Sequence, residues 1–315
     1  MNDVERASSV GGDRRLSRGL RFGIRKRRIF PNPLLLQCVG YAALCTTSVL
    51  MWQFLTVRYN YHGNWTGLFY TGSQQTLPST LAFERIQTFQ GTGFDGQFYH
   101  YVAHDPLFRN HLFVYIDNPF LRYTRILLPG LASMVTCGKQ SWVDRTYIAL
   151  NLASVFLGAY WLSRLACLYR RHPAWGAAFA LVPSVLVSMD RMTVDGVLAA
   201  FFVGFCLYTR NEPPWKIYLL LIAGSLTREM GICLTLSYVL WNIWNRAYVR
   251  AFIYSTAVLP AAAWYACLAS VFSTSRASLL SFTRYFPFQG ILKILEKPWQ
   301  SALPSYVHSL PTPIT

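Results

Sequence analysis

The chain has 315 residues, 53% of them hydrophobic and only 13% charged; an ordinary soluble domain carries about 25% charged residues, so this balance excludes that class and points to a polytopic membrane protein. The formal net charge of +16 does not mark a nucleic-acid binder, because the basic residues gather at the amino terminus and in short segments between apolar runs. No nucleic acid is expected as a partner.

Residues 1–32 form a basic tail in which Arg14, Arg15, Arg18, Arg21, Arg25, Lys26, Arg27 and Arg28 precede the first apolar run. The positive-inside rule holds this end in the cytoplasm, within reach of anionic lipid. The run from Pro33 to Leu55 exceeds the apolar core of a signal peptide, about 7 to 15 residues, and reads as a retained anchor. A long outside loop, 58–146, follows. Further spans are expected over Tyr147–Tyr169, Ala174–Met189, Thr193–Tyr208 and Ala251–Val271, with two short spans inside Trp215–Trp244 meeting at Thr227-Arg228-Glu229. That gives an all-α membrane domain of about seven transmembrane helices over 33–271, since about 20 apolar residues cross a bilayer, and an outside segment over 272–315. Arg164, Arg170, Arg171, Arg210, Lys216, Arg246 and Arg250 then all fall on the cytoplasmic side, while the outside turns carry Asp190-Arg191 and Arg228-Glu229. Arg122–Cys137, with Pro129 inside it, reads as a helix lying on the outer face. The seven cysteines include no Cys-x-x-Cys pair and are expected to pack as small hydrophobes.

The chemistry-bearing residues concentrate in the outside loop. Asp95 stands between Gly93 and Gly96 with Gln97 beside it; the glycines permit close backbone approach, and the acid suits a general base acting on an acceptor group. Arg122 and Arg125 are three residues apart, so on one helix they share a face and present planar donor forks to a phosphate. The competing reading is an ordinary Asp-Gly turn with headgroup-anchoring arginines. His100, His104 and His111, with Asp105 nearby, match no zinc spacing, and no metal ligands are assigned. Asp190, Arg191 and Asp195 cluster at the outer end of a helical hairpin, where they either line a cavity or orient two helices. Arg228 and Glu229 interrupt an apolar region and must pair or face water.

The stretches Gly93-Phe94-Asp95-Gly96-Gln97-Phe98-Tyr99, Ala103-His104-Asp105-Pro106 and Arg122-Tyr123-Thr124-Arg125-Ile126-Leu127-Leu128-Pro129, with Asn151, Asp195-Gly196 and Leu226-Thr227-Arg228-Glu229-Met230-Gly231, together resemble the GT-C superfamily of integral-membrane glycosyltransferases. Within it they are similar to a bacterial family linked to cell-surface glycopolymer formation. The resemblance implies a GT-C fold in a bacterial inner membrane, and transfer of a hexosyl or pentosyl unit from a polyprenyl-phosphate-linked sugar to a glycan or lipid acceptor on the outer face. Asp95 matches the catalytic loop acid. Gln97, His104, Asp105, Arg122, Arg125, Asp190, Asp195, Arg228 and Glu229 are the implied substrate contacts. A Mg²⁺ or Mn²⁺ ion at Asp95, Asp105 or Asp117 is compatible with the family, as are membrane lipids and a glycan-assembly protein as partners. Two other classes remain open: a lipid-linked sugar transporter or flippase in which the arginines bind phosphate and Asp95 gates access, and a non-catalytic assembly subunit.

Overall fold

The computed structural model describes residues 32–211 and 213–272, so the basic tail and nearly all of the carboxyl-terminal segment lie outside the described residues. The chain is mostly helical. Helix α1, Asn32–Asn60, and helix α5, Gln140–Leu168, are the two longest elements and pack against each other. With Tyr248–Val271 they are long and apolar enough to cross a membrane, and the bent pair Pro173–Leu181 and Pro183–Arg191 makes a fourth span if counted as one. Leu36, Leu44, Met51, Trp52 and Phe54 stand exposed along α1, a surface suited to lipid.

Of the expected seven spans, three to four are long and apolar enough among the described residues. Helices α7 (Asp195–Asn211), α8 (Pro214–Thr227) and α9 (Ile232–Trp244) have 17, 14 and 13 residues, short of the 20 or so that a bilayer asks for. The expected helix over Ala174–Met189 is broken into a 3₁₀ segment, Pro173–Leu181, and α6, Pro183–Arg191, bent by 60°. Pro183 supplies the reason: it forces Val182 into an extended conformation (φ −66°, ψ 125°). The division of Trp215–Trp244 matches expectation, because α8 stops at Thr227, Arg228 is extended, and a turn over Glu229–Gly231 leads into α9. The last of these candidate spans among the described residues comprises α10 (Tyr248–Ser255), a short turn and α11 (Leu259–Val271).

Between α1 and α5 the chain folds into a compact cap. It contains two short parallel strands, β1 (Thr71–Gly72) and β2 (Thr88–Phe89), then α2 (Gly96–His104), α3 (Pro119–Thr124) and α4 (Leu127–Val135). All nine residues of α2 are buried. Tyr99 and Ala103 join a core shared with Tyr147 of α5 and Val194 and Val197 at α7, while Phe98, Tyr101 and Val102 face Tyr123 of α3 and Leu268 of α11. With every residue buried, its polar Gln97, His100 and His104 included, α2 lies inside a core, and the aromatic content of this segment builds structure around it. The single interfacial helix expected over Arg122–Cys137 is instead α3 and α4 with a break at Arg125-Ile126. Pro129 has no N–H for the Arg125 carbonyl four residues back, and its ring would clash with that oxygen in a continuous helix. Cys38 and Cys45 are buried as small apolar side chains, whereas Cys137, Cys206, Cys233 and Cys267 are exposed.

Candidate active site

Asp95 sits immediately before α2, on a turn that glycine shapes. Gly93 has φ +80°, and a Cβ there would meet the Gly72 amide; a Cβ on Gly96 would meet the Arg191 carbonyl. The close approach foreseen for these glycines is therefore made to the protein's own backbone. Gln97, foreseen as a ligand contact, is buried and used internally: its Oε1 accepts from the Gly72 amide at 3.0 Å, and its Nε2 donates to the Thr92 carbonyl at 2.9 Å. It fixes the turn that holds Asp95.

From Asp95 an alternating line of charges runs across three separate parts of the chain. Arg122 reaches Asp95 Oδ2 at 2.6 Å and grips Asp117 through its fork, Nε to Oδ1 at 3.0 Å and Nη2 to Oδ2 at 2.8 Å. Arg125 lies 4.0 Å from the same Asp95 oxygen, donates to the Tyr99 hydroxyl, and donates through Nε to Glu229 Oε1 at 3.2 Å. Thr124 Oγ1 also donates to Glu229, at 2.9 Å. Glu229 stands 3.9 Å from Arg228 Nε, and Arg228 pairs with Asp195 at the start of α7. The cap, the α8–α9 elbow and α7 thus meet in one ionic network. Arg122 and Arg125 do not share a helix face, since α3 ends between them; the Asp95 carboxylate is what brings their guanidiniums together.

Burial is uneven in this network. The Arg122 and Arg125 side chains are 8% and 7% exposed, whereas Asp95 and Asp117 are 43% and 44% exposed. Burial alone would lower the Arg122 pKa, but the Asp117 and Asp95 carboxylates outweigh it and hold the group far above its ordinary value. For Arg125 the same balance runs through Tyr99 and Glu229 and is again upward. Burial pushes the Asp117 carboxyl up, and its bonds to Arg122 more than reverse this, leaving it below its ordinary value. Four carboxylates stand against three guanidiniums, so one negative charge is left over within the network, and Arg228, 30% exposed, is the most accessible cation in it.

The remaining foreseen residues lie apart from this line. Asp190 pairs with its neighbour Arg191 at 3.3 Å, and Arg191 lies over the Tyr70 ring and donates to the Tyr61 hydroxyl. Of that expected trio, Asp195 is the one joined to the network. Asp105 is buried, and its Oδ2 accepts from the amides of Asn110 and Leu112 at 3.1 and 3.2 Å, which closes the turn after α2. A divalent ion held by Asp95, Asp105 or Asp117 does not fit these positions: Asp105 is committed to backbone amides, and Arg122 already occupies the space between Asp95 and Asp117.

His104 belongs to a second cluster at the other end of α2, together with His100, Glu84 and Asp144. His100 Nε2 is 2.9 Å from both Glu84 Oε2 and Asp144 Oδ1; His104 Nε2 is 3.0 Å from Glu84 Oε1 and 3.1 Å from Asp144 Oδ1. Burial disfavours a charge on the His100 ring, but the two carboxylates override it and push the pKa up to about 10; His104 moves upward for the same reasons. Burial pushes the Glu84 carboxyl up, and its hydrogen bonds to the two rings reverse that to a net lowering. Sequence reasoning missed Glu84 and Asp144, the latter because α5 begins well before Tyr147. The available signal was the four-residue spacing of His100 and His104, which places both on one face of a helix. His111 lies outside the cluster.

A groove of about 280 Å³ lined by Trp161, Phe201, Tyr208, Trp215, Lys216 and Leu219 lies about 20 Å along α5 from Tyr147, and takes no part in either cluster. Chemically, the Asp95 end of α2 offers an accessible carboxylate beside fixed cationic forks, the combination that proton removal next to a departing anion requires. No protein-family model, no curated protein and no solved structure matches the chain.

Proposed function

We propose that this chain is a GT-C-type membrane glycosyltransferase that moves a sugar from a polyprenyl-phosphate-linked donor to a hydroxyl of a glycan or lipid acceptor. The observation that carries this reading is the convergence of Asp95, Arg122, Arg125, Glu229, Arg228 and Asp195 from three distant segments in one ionic network, in which Asp95 and Arg228 are accessible. Asp95 takes the proton of the acceptor hydroxyl as its oxygen bonds to the anomeric carbon. The bond from that carbon to the phosphate oxygen breaks, its electron pair leaves with the phosphate, and attack from the opposite face inverts the centre. Arg228, the accessible fork, exchanges Asp195 for the phosphate and meets the charge that grows on it. Arg122, clamped by Asp117, aims Asp95. No step passes through a divalent ion.

In this reading the helices cross a bacterial inner membrane with the amino terminus and the basic turns in the cytoplasm, and the cap faces outside. The donor's prenyl chain lies along the exposed apolar face of the helices, and a glycan-assembly protein delivers the acceptor. Purified protein in liposomes, given a panel of labelled polyprenyl-phosphate sugars and envelope acceptors, tests it directly. Transfer by the wild type, lost by at least about a hundredfold in Asp95→Asn, is the expected result, matched by loss of cell-surface glycan in a strain carrying that variant at equal membrane abundance. Normal glycan in that strain overturns the catalytic assignment in favour of an assembly role. Movement of labelled lipid across the bilayer without sugar transfer replaces it with a transporter.

A further inference from the structure

The cluster at the far end of α2 has the composition and closure of a metal cage. Its four candidate ligand atoms, one each from Glu84, His100, His104 and Asp144, lie within 4.8 Å of one another. The side chains of His100 and His104 are fully buried, and those of Glu84 and Asp144 are 7% and 15% exposed. We propose that these four residues hold a structural zinc ion that pins the cap to the first turns of α5. The inference stands independently of the glycosyl-transfer reading.

The tautomer of His104 is the first argument. Gln140 Nε2 donates to the His104 carbonyl at 3.3 Å, which orients the Gln140 amide so that its Oε1 accepts from His104 Nδ1–H. A neutral His104 therefore turns the Nε2 lone pair toward two carboxylate oxygens. Lone pairs facing one another at about 3 Å repel unless a proton or a cation lies between them. A proton on Nε2 serves one oxygen, yet each Nε2 is nearly equidistant from two, at 2.9 and 2.9 Å for His100 and at 3.0 and 3.1 Å for His104. A central cation serves both rings and both carboxylates together.

His100 supplies the second argument. Its ring is stacked on Phe69 with centroids 4.4 Å apart, and its Nδ1 is buried without a hydrogen-bond partner. That stack fixes the plane of the ring and keeps Nε2 aimed at the Glu84 and Asp144 oxygens, each 2.9 Å away. Gln140 holding His104 from behind is the outer support that metal-bound histidines usually receive.

Ligand chemistry then selects the ion. Two imidazoles suit zinc better than magnesium or calcium, which prefer all-oxygen shells, and two carboxylates balance a dication. Tetrahedral zinc with bonds of about 2.0 to 2.1 Å spaces its ligand atoms about 3.3 Å apart; both histidines already stand 2.9 and 3.1 Å from the same Asp144 oxygen, and each faces its own Glu84 oxygen at 2.9 and 3.0 Å, so coordination needs Glu84 to turn one of its two oxygens onto the ion. Four protein ligands with almost no solvent access describe a closed, structural site. Its ligands come from the turn ending at Glu84, from α2 and from α5, so one ion ties together three segments of the cap and the membrane domain.

Elemental analysis of the full-length protein, purified through a tag without histidines and dialysed against metal-free buffer, tests the site. About one zinc per chain is expected. Replacement by cobalt should give the intense visible bands of a tetrahedral site, and chelation should lower the thermal unfolding midpoint. His104→Ala and Asp144→Asn should each lose the ion and the cobalt bands, while Asp190→Asn, outside the cage, keeps both. Should the cage variants fail to fold, the wild-type cobalt spectrum alone decides. Wild-type protein that retains less than about one ion per ten chains after exposure to zinc, shows no cobalt bands and unfolds at the same temperature with chelator overturns the proposal and leaves two imidazolium–carboxylate pairs.

Discussion

The two ends of α2 carry clusters of similar parts arranged for opposite purposes. At its start, the guanidiniums of Arg122 and Arg125 lie buried beneath the half-exposed Asp95 and Asp117, and across the network one carboxylate is in excess. At its end, two histidines and two acids are enclosed and matched in number. Partners that face solvent can be exchanged for a ligand at modest cost, because an exposed ion pair is worth only about 0–1 kcal/mol. Enclosed partners cannot, since each bond broken there strands a polar group away from water. Under the proposed function the first cluster serves turnover, and under the proposed zinc site the second serves permanence, although they stand at the two ends of a single nine-residue helix.

The largest expected effect separates these purposes at Asp95 itself. Asp95→Asn should lower transfer by about a hundredfold or more, while the thermal midpoint in detergent stays close to that of the wild type, because the side chain is 43% exposed. Asp117→Asn removes the other partner of Arg122 at equal exposure without removing the base, and its activity should fall by less than about tenfold. Equal losses in the two variants would show that orientation of Arg122, and not a base at Asp95, limits the reaction.

Next in size is the buried half of the same network. Glu229→Met leaves Arg125 underground with the Tyr99 hydroxyl and a distant Asp95, and should destabilise the protein by about 3 kcal/mol. Adding Arg125→Met should recover a large part of that loss, because an apolar pair no longer buries an unmatched charge. Denaturation of the two single variants and the double variant in detergent measures the coupling. Strictly additive effects would mean that the pair, 3.2 Å apart, is not what joins the cap to the α8–α9 elbow.

These two clusters were not equally legible in the sequence. Apolar run length alone located α1, α5 and the final membrane segment, and the cost of charge in an apolar stretch located the break at Arg228. Asp95 was named for the glycines that bracket it, Arg122 and Arg125 for their spacing, and Asp195, Arg228 and Glu229 because ionisable groups stand out against an apolar background; the structure joins all six. What stayed hidden is set by geometry that closes at long range. Glu84 lies 16 positions before His100 and Asp144 lies 40 after His104, and no local period brings such residues together. The breaks at Val182-Pro183 and before Pro129 were locally encoded, but the surrounding apolar pattern favoured continuous helices. The role of the loop aromatics was hidden as well, because sequence does not distinguish a ring that greets a ligand from one that packs around α2.

Gln97 extends the comparison to the hinge between recognition and support. Gln97→Ala leaves the Gly72 amide and the Thr92 carbonyl without their partner inside the protein, at a cost of about 2 kcal/mol. Hydrogen exchange should quicken at Gly72 and along the Gly91–Phe94 turn while the Glu84–His104 side of α2 stays protected. Faster exchange at both ends of α2 would show that the two clusters form a single cooperative unit.

The smallest effect is expected at Asp105, which sequence placed among the substrate contacts and which the structure surrounds with backbone. Asp105→Asn keeps an oxygen in position to accept from the Asn110 and Leu112 amides and gives up only the charge on that acceptor. Charge-assisted hydrogen bonds are about twice as strong as neutral ones, so a loss near 1 kcal/mol in stability is the expected outcome, with transfer activity unchanged at temperatures where the variant is folded. Because Asp105 is 2% exposed, a substrate has no route to it without opening the turn that its own carboxylate closes. A KM that rises in this variant while the unfolding midpoint holds would therefore require the 105–112 turn to open during each catalytic cycle, and would move that segment from the supporting side of α2 to the working side.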